Sequence, residues 1–394
     1  MRLTFFMLTD LRVNRGTENV LFKLLKYKPK NIDITIIEPT EIGNNPLILS
    51  NSEVNELTRN CKIIRINSKF KTLKTNNMSK VSILYRELIS KPTVYILKHT
   101  PKETLDEVKN TDMVYLFYNE FAVFFSNMNI PVVGSEHTYS FSRAIIDQNK
   151  SIFYKIYNNL IYTIYYKKNI SFLHLFTNRE DMGDNLKKNL NLKEIMVLPN
   201  GVDTSLFYPD YNVNNKKIKF LFVASLVAEK GLDLLLPLID RINSNDIEFH
   251  IAGGGKLADK VKANKRIVYH GVLSDMDLAR LYRECDVFIY PSHADTFALV
   301  ALQALSSGLY VMCSDYLKGN FDDFENKSLE YLPLDIEKWY SRVNEIINDS
   351  RIIKHDKKEQ YAFVENNYDW KVISKKFYDY MIKFYNYGNE ENNA

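Results

Sequence analysis

Two periodicities alternate along the 394-residue chain. Short runs of β-branched and aromatic residues are separated by longer stretches whose apolar positions recur at helical spacing. In the first half the short runs predict strands at Leu3–Leu8, Asp33–Ile37, Lys62–Ile66, Met113–Phe117, Pro131–Gly134 and Phe172–Phe176. The pattern restarts at Ile218–Ser225 and continues through Ile247–Gly255, Arg266–Ser274, Asp286–Ser292 and Tyr310–Asp315. Strands that alternate with helices build parallel sheets, because a parallel neighbour is reached only through a crossover. The predicted class is therefore α/β, as two Rossmann-like domains whose parallel sheets face each other across a cleft. Between the halves, "LPNGVDTSLFYPDYNVNNKK" follows neither period and is rich in turn residues. The expected organisation is a first domain over residues 1–198, a hinge over 199–217 and a second domain over 218–367. An amphipathic helix over 368–387 is expected to pack back on the first domain, followed by a disordered tail, "GNEENNA".

Composition narrows the class. Hydrophobic residues at 45% and charged residues at 25% are ordinary for a soluble globular enzyme. The 52 basic and 48 acidic residues leave +4, too balanced for a general nucleic-acid binder. Cys61, Cys285 and Cys313 suit neither a disulfide framework nor zinc spacing. Cys285 and Cys313 lie in apolar runs, which predicts buried reduced thiols and a cytoplasmic location. The opening "MRLTFFMLTD" is too short for the apolar core of a signal peptide, and no run approaches a membrane span. One segment leaves a membrane surface open. Ser151–Ile170 places Phe153, Tyr157, Leu160, Ile161, Ile164 and Tyr165 on one helical face, near Lys155, Lys167 and Lys168. Such a stripe is either the core face of a helix or an interfacial helix, the second suiting a lipid-linked acceptor.

The candidate chemistry sits where strands end. In open parallel sheets ligands bind beyond the carboxyl ends of the strands. There, "VASLVAEKG" puts Ser225 just after a strand and Lys230 at the start of the next helix. "AGGGK" brings glycine backbone, including Gly254, close to any ligand. "DTFALV" is expected to open a helix near Phe297, so that N–H groups around Thr296, Phe297, Ala298 and Leu299 can hold an anion. A lysine and a helix N-terminus at one sheet edge suit a phosphate or diphosphate. Asp295 and Gln303, one on the loop and one on the helix, are placed to face the same crevice. In the first half, Arg15 and Gly16 lie between the first strand and helix, and His137 follows a later strand. Each feature also has an ordinary explanation: a glycine turn, a helix start, a solvated arginine, a satisfied histidine. "FDDFE" near Asp322 is expected to cap a surface helix rather than hold a metal.

In their order, "LPNGVD", "ASLVAEKG", "IAGGGK", "VYHGVLSDMDLARLYRECDVFIYPS" and "DTFALVALQALSSG" resemble the family 4 retaining glycosyltransferases of the GT-B fold. The resemblance covers most of residues 197–315, with "RGTENVL" and "SEHTYS" in plausible positions upstream. It implies hexose transfer from a nucleotide sugar to a glycan, lipid or glycolipid acceptor, with retention, no metal and no cofactor besides the donor. By the same resemblance Lys230 contacts the leaving diphosphate, Asp295 the hydroxyls of the donor sugar and Gln303 the ribose. Asp295 and Gln303 stand where the family has two glutamates. Gly254, Val272, Thr296, Phe297, Ala298 and Leu299 complete the donor pocket, Ala298 replacing a usual glycine. Gly16 and Glu18 match the family's first loop, where Arg15 replaces a glycine, and His137 lies beside the donor sugar. Ser225 stands where an arginine is usual and offers one neutral donor in place of a charged fork. Arg15 is therefore expected to bring the missing charge to the diphosphate. The alternative from another class is a catalytically silent relative that binds a nucleotide sugar or a protein partner.

Overall fold

The computed structural model describes all residues except 8–9, 14–15, 41–47, 68–105, 107, 120–121, 123–124, 126–127, 138–169, 191, 214, 294 and 393–394. Arg15 and nearly all of Ser151–Ile170, with its two readings, lie outside the described residues.

The chain divides into two compact units, each a parallel sheet with helices. In the first, β1 (Arg2–Phe6), β2 (Asp33–Thr40), β3 (Cys61–Asn67), β4 (Met113–Leu116), β5 (Val132–Glu136), β6 (Phe172–Leu175) and β7 (Glu194–Val197) lie in the order β3-β2-β1-β4-β5-β6-β7. In the second, β8 (Ile218–Val223), β9 (Ile247–Ala252), β10 (Ile267–Gly271), β11 (Val287–Tyr290), β12 (Tyr310–Ser314) and β13 (Leu329–Leu332) follow β10-β9-β8-β11-β12-β13. Both orders reverse direction once, between β1 and β4 and between β8 and β11. Reversal opens a crevice at the carboxyl ends of those two strands. The α/β class and the paired parallel sheets are as the sequence predicts. β7 and β13 are additions to the predicted strands. Each is a four-residue strand at a sheet edge, "EIMV" or "LEYL", too short and too polar to stand out as an apolar run.

The first unit comprises Met1–Phe176, Glu180–Leu198 and Ser374–Ala394, and the second Thr177–Arg179 and Pro199–Ile373. Residues 199–217, expected as a hinge, are packed within the second unit. Val202 bridges to Asp369, Thr204 Oγ1 donates to Asp369 at 2.6 Å, and Phe207 joins the buried cluster around β8 and β11. The last helix, Trp370–Asn392, enters the first unit at Ser374. Phe377 lies 5.2 Å from Tyr115, Phe384 stacks on Phe172 at 4.4 Å, and the Tyr378 hydroxyl donates to the Leu24 carbonyl at 3.2 Å. Each fully buried ring of this kind contributes roughly 1.5–3 kcal/mol of burial, which fastens the C-terminus to the first sheet. The helix runs five residues past its expected end at 387 and takes in most of the tail read as disordered, because no proline interrupts it. No helix among the described residues is long and apolar enough to cross a membrane.

Candidate functional site

The loops after β8 and β11 meet at the reversal point of the second sheet, and backbone contacts lace them together. The His293 N–H donates to the Glu229 carbonyl at 3.0 Å, and Ser292 Oγ to the same carbonyl at 3.4 Å. His293 Nε2 lies 2.9 Å from both carboxylate oxygens of Asp233, in the first turn of the helix Leu232–Arg241. Gly231 closes the turn Ala228–Lys230 with φ of 91°, and a Cβ there would lie 2.0 Å from the Pro291 carbonyl oxygen. Only glycine permits so close an approach. The reason for "KG" at 230–231 is thus local: the glycine lets the lysine's loop rest directly on the next strand's exit.

This lacing brings Lys230 and Asp295 together. Lys230 Nζ donates to Asp295 Oδ2 at 2.7 Å, with both side chains about a quarter exposed. The hydroxyl of Tyr290, the last residue of β11, donates to the same oxygen at 2.8 Å. Burial, together with the Asp295 carboxylate, pushes the Tyr290 phenol pKa far up, so it stays a donor. Tyr290 is 1% exposed, and sequence reading does not select it, because an aromatic at a strand end reads as core. With Oδ2 holding two donors, Oδ1 is the carboxylate oxygen left to accept from a ligand hydroxyl.

Other expected positions fall around this pair. Ser225 is exposed, with its carbonyl accepting from the Val227 N–H at 2.9 Å. Gly254 sits against Val272, since a Cβ on Gly254 would lie 2.8 Å from Val272 Cγ2, and Val272 is 80% exposed. The glycine loop is held from both sides: Leu226 N–H donates to the Gly254 carbonyl at 2.9 Å, and Gly253 N–H to the Gly271 carbonyl at 2.7 Å. The helix expected near Phe297 begins two residues later, at Leu299, with Ala298 as its N-cap. Phe297 is held back by packing on Phe321 at 4.9 Å, and the Thr296 carbonyl accepts from Asn320 Nδ2 at 3.1 Å. The outward N–H groups are therefore those of the first turn from Leu299, rather than those of Thr296 and Phe297. Asn320 is a further residue that sequence reading misses. Its Oδ1 also accepts from Thr177 Oγ1 at 2.6 Å, fixing the loop before the helix. Gln303, one turn into that helix, has Oε1 3.5 Å from the Tyr282 hydroxyl. Asp322, expected to cap a helix, instead accepts from the Gly319 N–H at 2.8 Å and closes a turn.

Gly16 and His137 belong to the first unit. Gly16 starts the helix Gly16–Lys26, and nothing lies within 4 Å of where its Cβ would be. His137 follows β5 and stacks on Phe176 at 4.0 Å, which in turn stacks on His174 at 3.8 Å. Its tautomer follows from its neighbours. Ser135 Oγ spends its proton on the Leu116 carbonyl at 2.8 Å, so it accepts from His137 Nε2 at 3.3 Å. His137 Nδ1 is then an acceptor. Burial lowers the His137 pKa to about 4 and that of His174 to about 3.

That pair makes a prediction about acid. Both folded pKa values lie below the unfolded value near 6.5, so between about pH 6.5 and 4 the unfolded chain binds protons that the native chain refuses. Stability should fall on acidification through this window, by up to roughly 1.4 kcal/mol per pH unit for each histidine. Imidazole NMR shifts of His137 and His174 should still report the neutral form at pH 5. Titration of either ring near pH 6.5 in the folded protein would refute the assignment.

Comparison with known proteins places these loops. The model of a family described as "Glycosyl transferases group 1" matches residues 206–370. Sulfoquinovosyl transferase SQD2 of Arabidopsis thaliana is 27% identical over 197 residues, covering 45% of this chain and 37% of that protein. The phosphatidylinositol N-acetylglucosaminyltransferase gpi3 subunit of Schizosaccharomyces pombe is 29% identical over 137 residues, 32% of this chain and 30% of that one. The chain thus spans about a third of the length of these curated relatives. Among solved structures, sucrose-phosphate synthase from Thermosynechococcus elongatus superposes with a TM-score of 0.71 at 13% identity, over 98% of this chain and 99% of that one. Anabaena Alr3699/HepE in complex with UDP and glucose gives 0.67 at 13% identity, over 97% and 100%. The likenesses at this identity show the fold, which is GT-B, a pair of Rossmann-like α/β units.

Proposed function

We propose that the protein is a retaining glycosyltransferase that moves a hexose from a nucleotide sugar to a glycan, lipid or glycolipid acceptor without a catalytic metal. The observation that carries this reading is the Lys230–Asp295 pair at the reversal point of the second sheet, beside the helix that opens at Leu299. A cation and a helix N-terminus suit a diphosphate, and a carboxylate oxygen beside them suits a sugar hydroxyl. The family match over residues 206–370 includes this whole group, and the HepE structure named above holds UDP and glucose. One relative's name mentions phosphatidylinositol, which supports a glycolipid or lipid acceptor. A cytoplasmic site of action, peripheral to the membrane face, fits such an acceptor.

In this reading the second unit holds the donor. The bond between the anomeric carbon and the diphosphate oxygen breaks, one to the acceptor oxygen forms on the same face, and the acceptor hydroxyl's proton passes to the departing diphosphate oxygen. Lys230 and the Leu299 turn meet the charge that develops on the diphosphate. Asp295 Oδ1 and neutral His137 accept from sugar hydroxyls, Gln303 faces the ribose, and Gly254 and Val272 face the base. By the sequence resemblance Gly16 and Arg15 are assigned to the donor diphosphate, Arg15 supplying the charge that the neutral Ser225 lacks.

One observation favours the alternative of a catalytically silent relative. The Lys230 charge is already matched by Asp295, and Ser225 adds none. A panel of nucleotide sugars separates the readings. A bound donor at 100 times its Kd should stabilise the protein by about 2.7 kcal/mol. Release of nucleoside diphosphate on adding an acceptor supports transfer. A thermal shift without release for any acceptor supports a silent relative that binds a nucleotide sugar, and no shift with any nucleotide sugar overturns the transferase reading and leaves the partner-binding relative.

A further inference from the structure

The donor residues gather at the carboxyl ends of β8 and β11, but a second cavity, of about 870 Å³, opens at the opposite edge of the same sheet. Its position follows from the residues that lead into strands. Ile218 opens β8, Asp246 precedes β9 and Asp286 precedes β11, and all three line it. Two segments far apart in sequence then supply lysines. Lys216 and Lys217 come from the stretch entering β8, while Lys354, Lys357 and Lys358 come from the turn that starts the helix Lys357–Tyr368.

Three aspartates, Asp246, Asp286 and Asp356, stand among these five lysines and offset part of their charge. Asp286 Oδ2 accepts from Asn215 Nδ2 and from the Lys219 N–H, each at 2.9 Å. Asp356 Oδ1 caps the helix, accepting from the N–H groups of Lys358 at 2.9 Å and Glu359 at 3.0 Å. Those backbone donors hold its carboxyl below the usual range. Lys217 pairs with Glu248 at 3.3 Å. Lys216, Lys354, Lys357 and Lys358 make no ion pair with a carboxylate among the described residues. His355, on the same turn, adds no charge near neutrality, because burial lowers its pKa. Tyr211, 52% exposed, lines the cavity with Lys358 Nζ 5.7 Å over its ring.

Five lysines against three aspartates leave the lining with a formal charge of +2, which biases the enclosed space toward an anion. A compact oxyanion suits it, because each ammonium offers three donors and a phosphate offers several acceptors. A space of this volume is ample for such a group and what it is attached to. We propose that this cavity binds a phosphate-bearing ligand through Lys216, Lys354, Lys357 and Lys358, at a site separate from the donor crevice. The proposal does not depend on the transferase reading. The phosphate comes either from a soluble molecule or from a lipid headgroup, and the two sources are separable.

Lysine acylation read by mass spectrometry on the full chain tests it. Inorganic pyrophosphate at ten times its Kd should slow acylation of the four lysines about tenfold. Lys375, paired with Asp379 in the first unit, serves as the internal reference and should label at an unchanged rate. Vesicles of phosphatidic acid in phosphatidylcholine are the second probe. Protection by pyrophosphate assigns a soluble ligand, and protection by phosphatidic acid vesicles alone assigns a headgroup. The double variant Lys354→Gln with Lys357→Gln should remove the protection of Lys216 and Lys358 without lowering the melting temperature, since its changes are at the surface. Equal labelling with and without both probes overturns the proposal. So does equal protection by sodium chloride at matched ionic strength, which would reduce the effect to screening.

Discussion

Replacing Lys230 by alanine is expected to weaken binding of a nucleoside diphosphate by roughly 10- to 150-fold, against about fivefold for Gln303→Ala. The lysine meets a charged group and the amide a neutral ribose edge, and charge-assisted hydrogen bonds are worth about twice as much as neutral ones. The structure adds a second reason. With Lys230 gone, the partner left to Asp295 among the described residues is the Tyr290 hydroxyl, and it presents an uncompensated carboxylate to the incoming diphosphate. The same contact fixes the sign for the partner residue. Asp295→Ala removes the negative charge beside Lys230, so affinity for the bare nucleotide should hold or rise while sugar transfer falls. Calorimetric titration of the three variants with nucleoside diphosphate, beside turnover with the full donor, reads both effects. Equal affinity losses for Lys230→Ala and Gln303→Ala would remove the diphosphate role from Lys230. Loss of bare-nucleotide binding in Asp295→Ala would remove the sugar role from Asp295.

That pairing shows where the sequence is informative and where it is silent. The long apolar runs of β1, β8, β9 and β11 announce themselves because central strands of a parallel sheet are buried on both faces and leave no polar alternation to confuse the pattern. β7 and β13 are hidden for the converse reason, since edge strands are short and half solvated. The "AEKG" and "DTFALV" stretches can be placed after their strands, but not in contact. Lys230 and Asp295 are 65 residues apart, and their 2.7 Å bond depends on how two loops rest on each other. Tyr290 and Asn320 carry no signal at all. A tyrosine ending a strand and an asparagine in a turn acquire their roles only from the residue each one reaches, Asp295 for one and Thr296 for the other. The predicted helix start at Phe297 fails for a related reason: the ring is drawn into the core against Phe321, which holds that residue out of the helix.

A large loss of stability is expected from Gly231→Ala, at about 3–5 kcal/mol, the range of the most damaging core substitutions. Two costs add. At φ of 91° an alanine sits in the left-handed region, which costs roughly 1–2 kcal/mol. Its Cβ would also lie 2.0 Å from the Pro291 carbonyl oxygen and 2.4 Å from the carbonyl carbon, so one backbone must move. Neither is free to do so. His293 N–H is bonded to Glu229, and Ser314 Oγ donates to the Ser292 carbonyl at 2.6 Å, holding the β11 exit to β12. Gly271→Ala is the internal control, since its φ is 69° but nothing lies within 4 Å of the new Cβ. It should cost only the conformational share, about 1 kcal/mol. At about 2–4 °C per kcal/mol, Gly231→Ala should lower the melting temperature by about 10 °C and Gly271→Ala by about 3 °C. Because the displaced turn carries Lys230, Gly231→Ala should also lose nucleoside-diphosphate binding below its melting point. Equal melting temperatures for the two variants would show that the loops after β8 and β11 are not wedged together as described, and that the Lys230–Asp295 bond is not held by their packing.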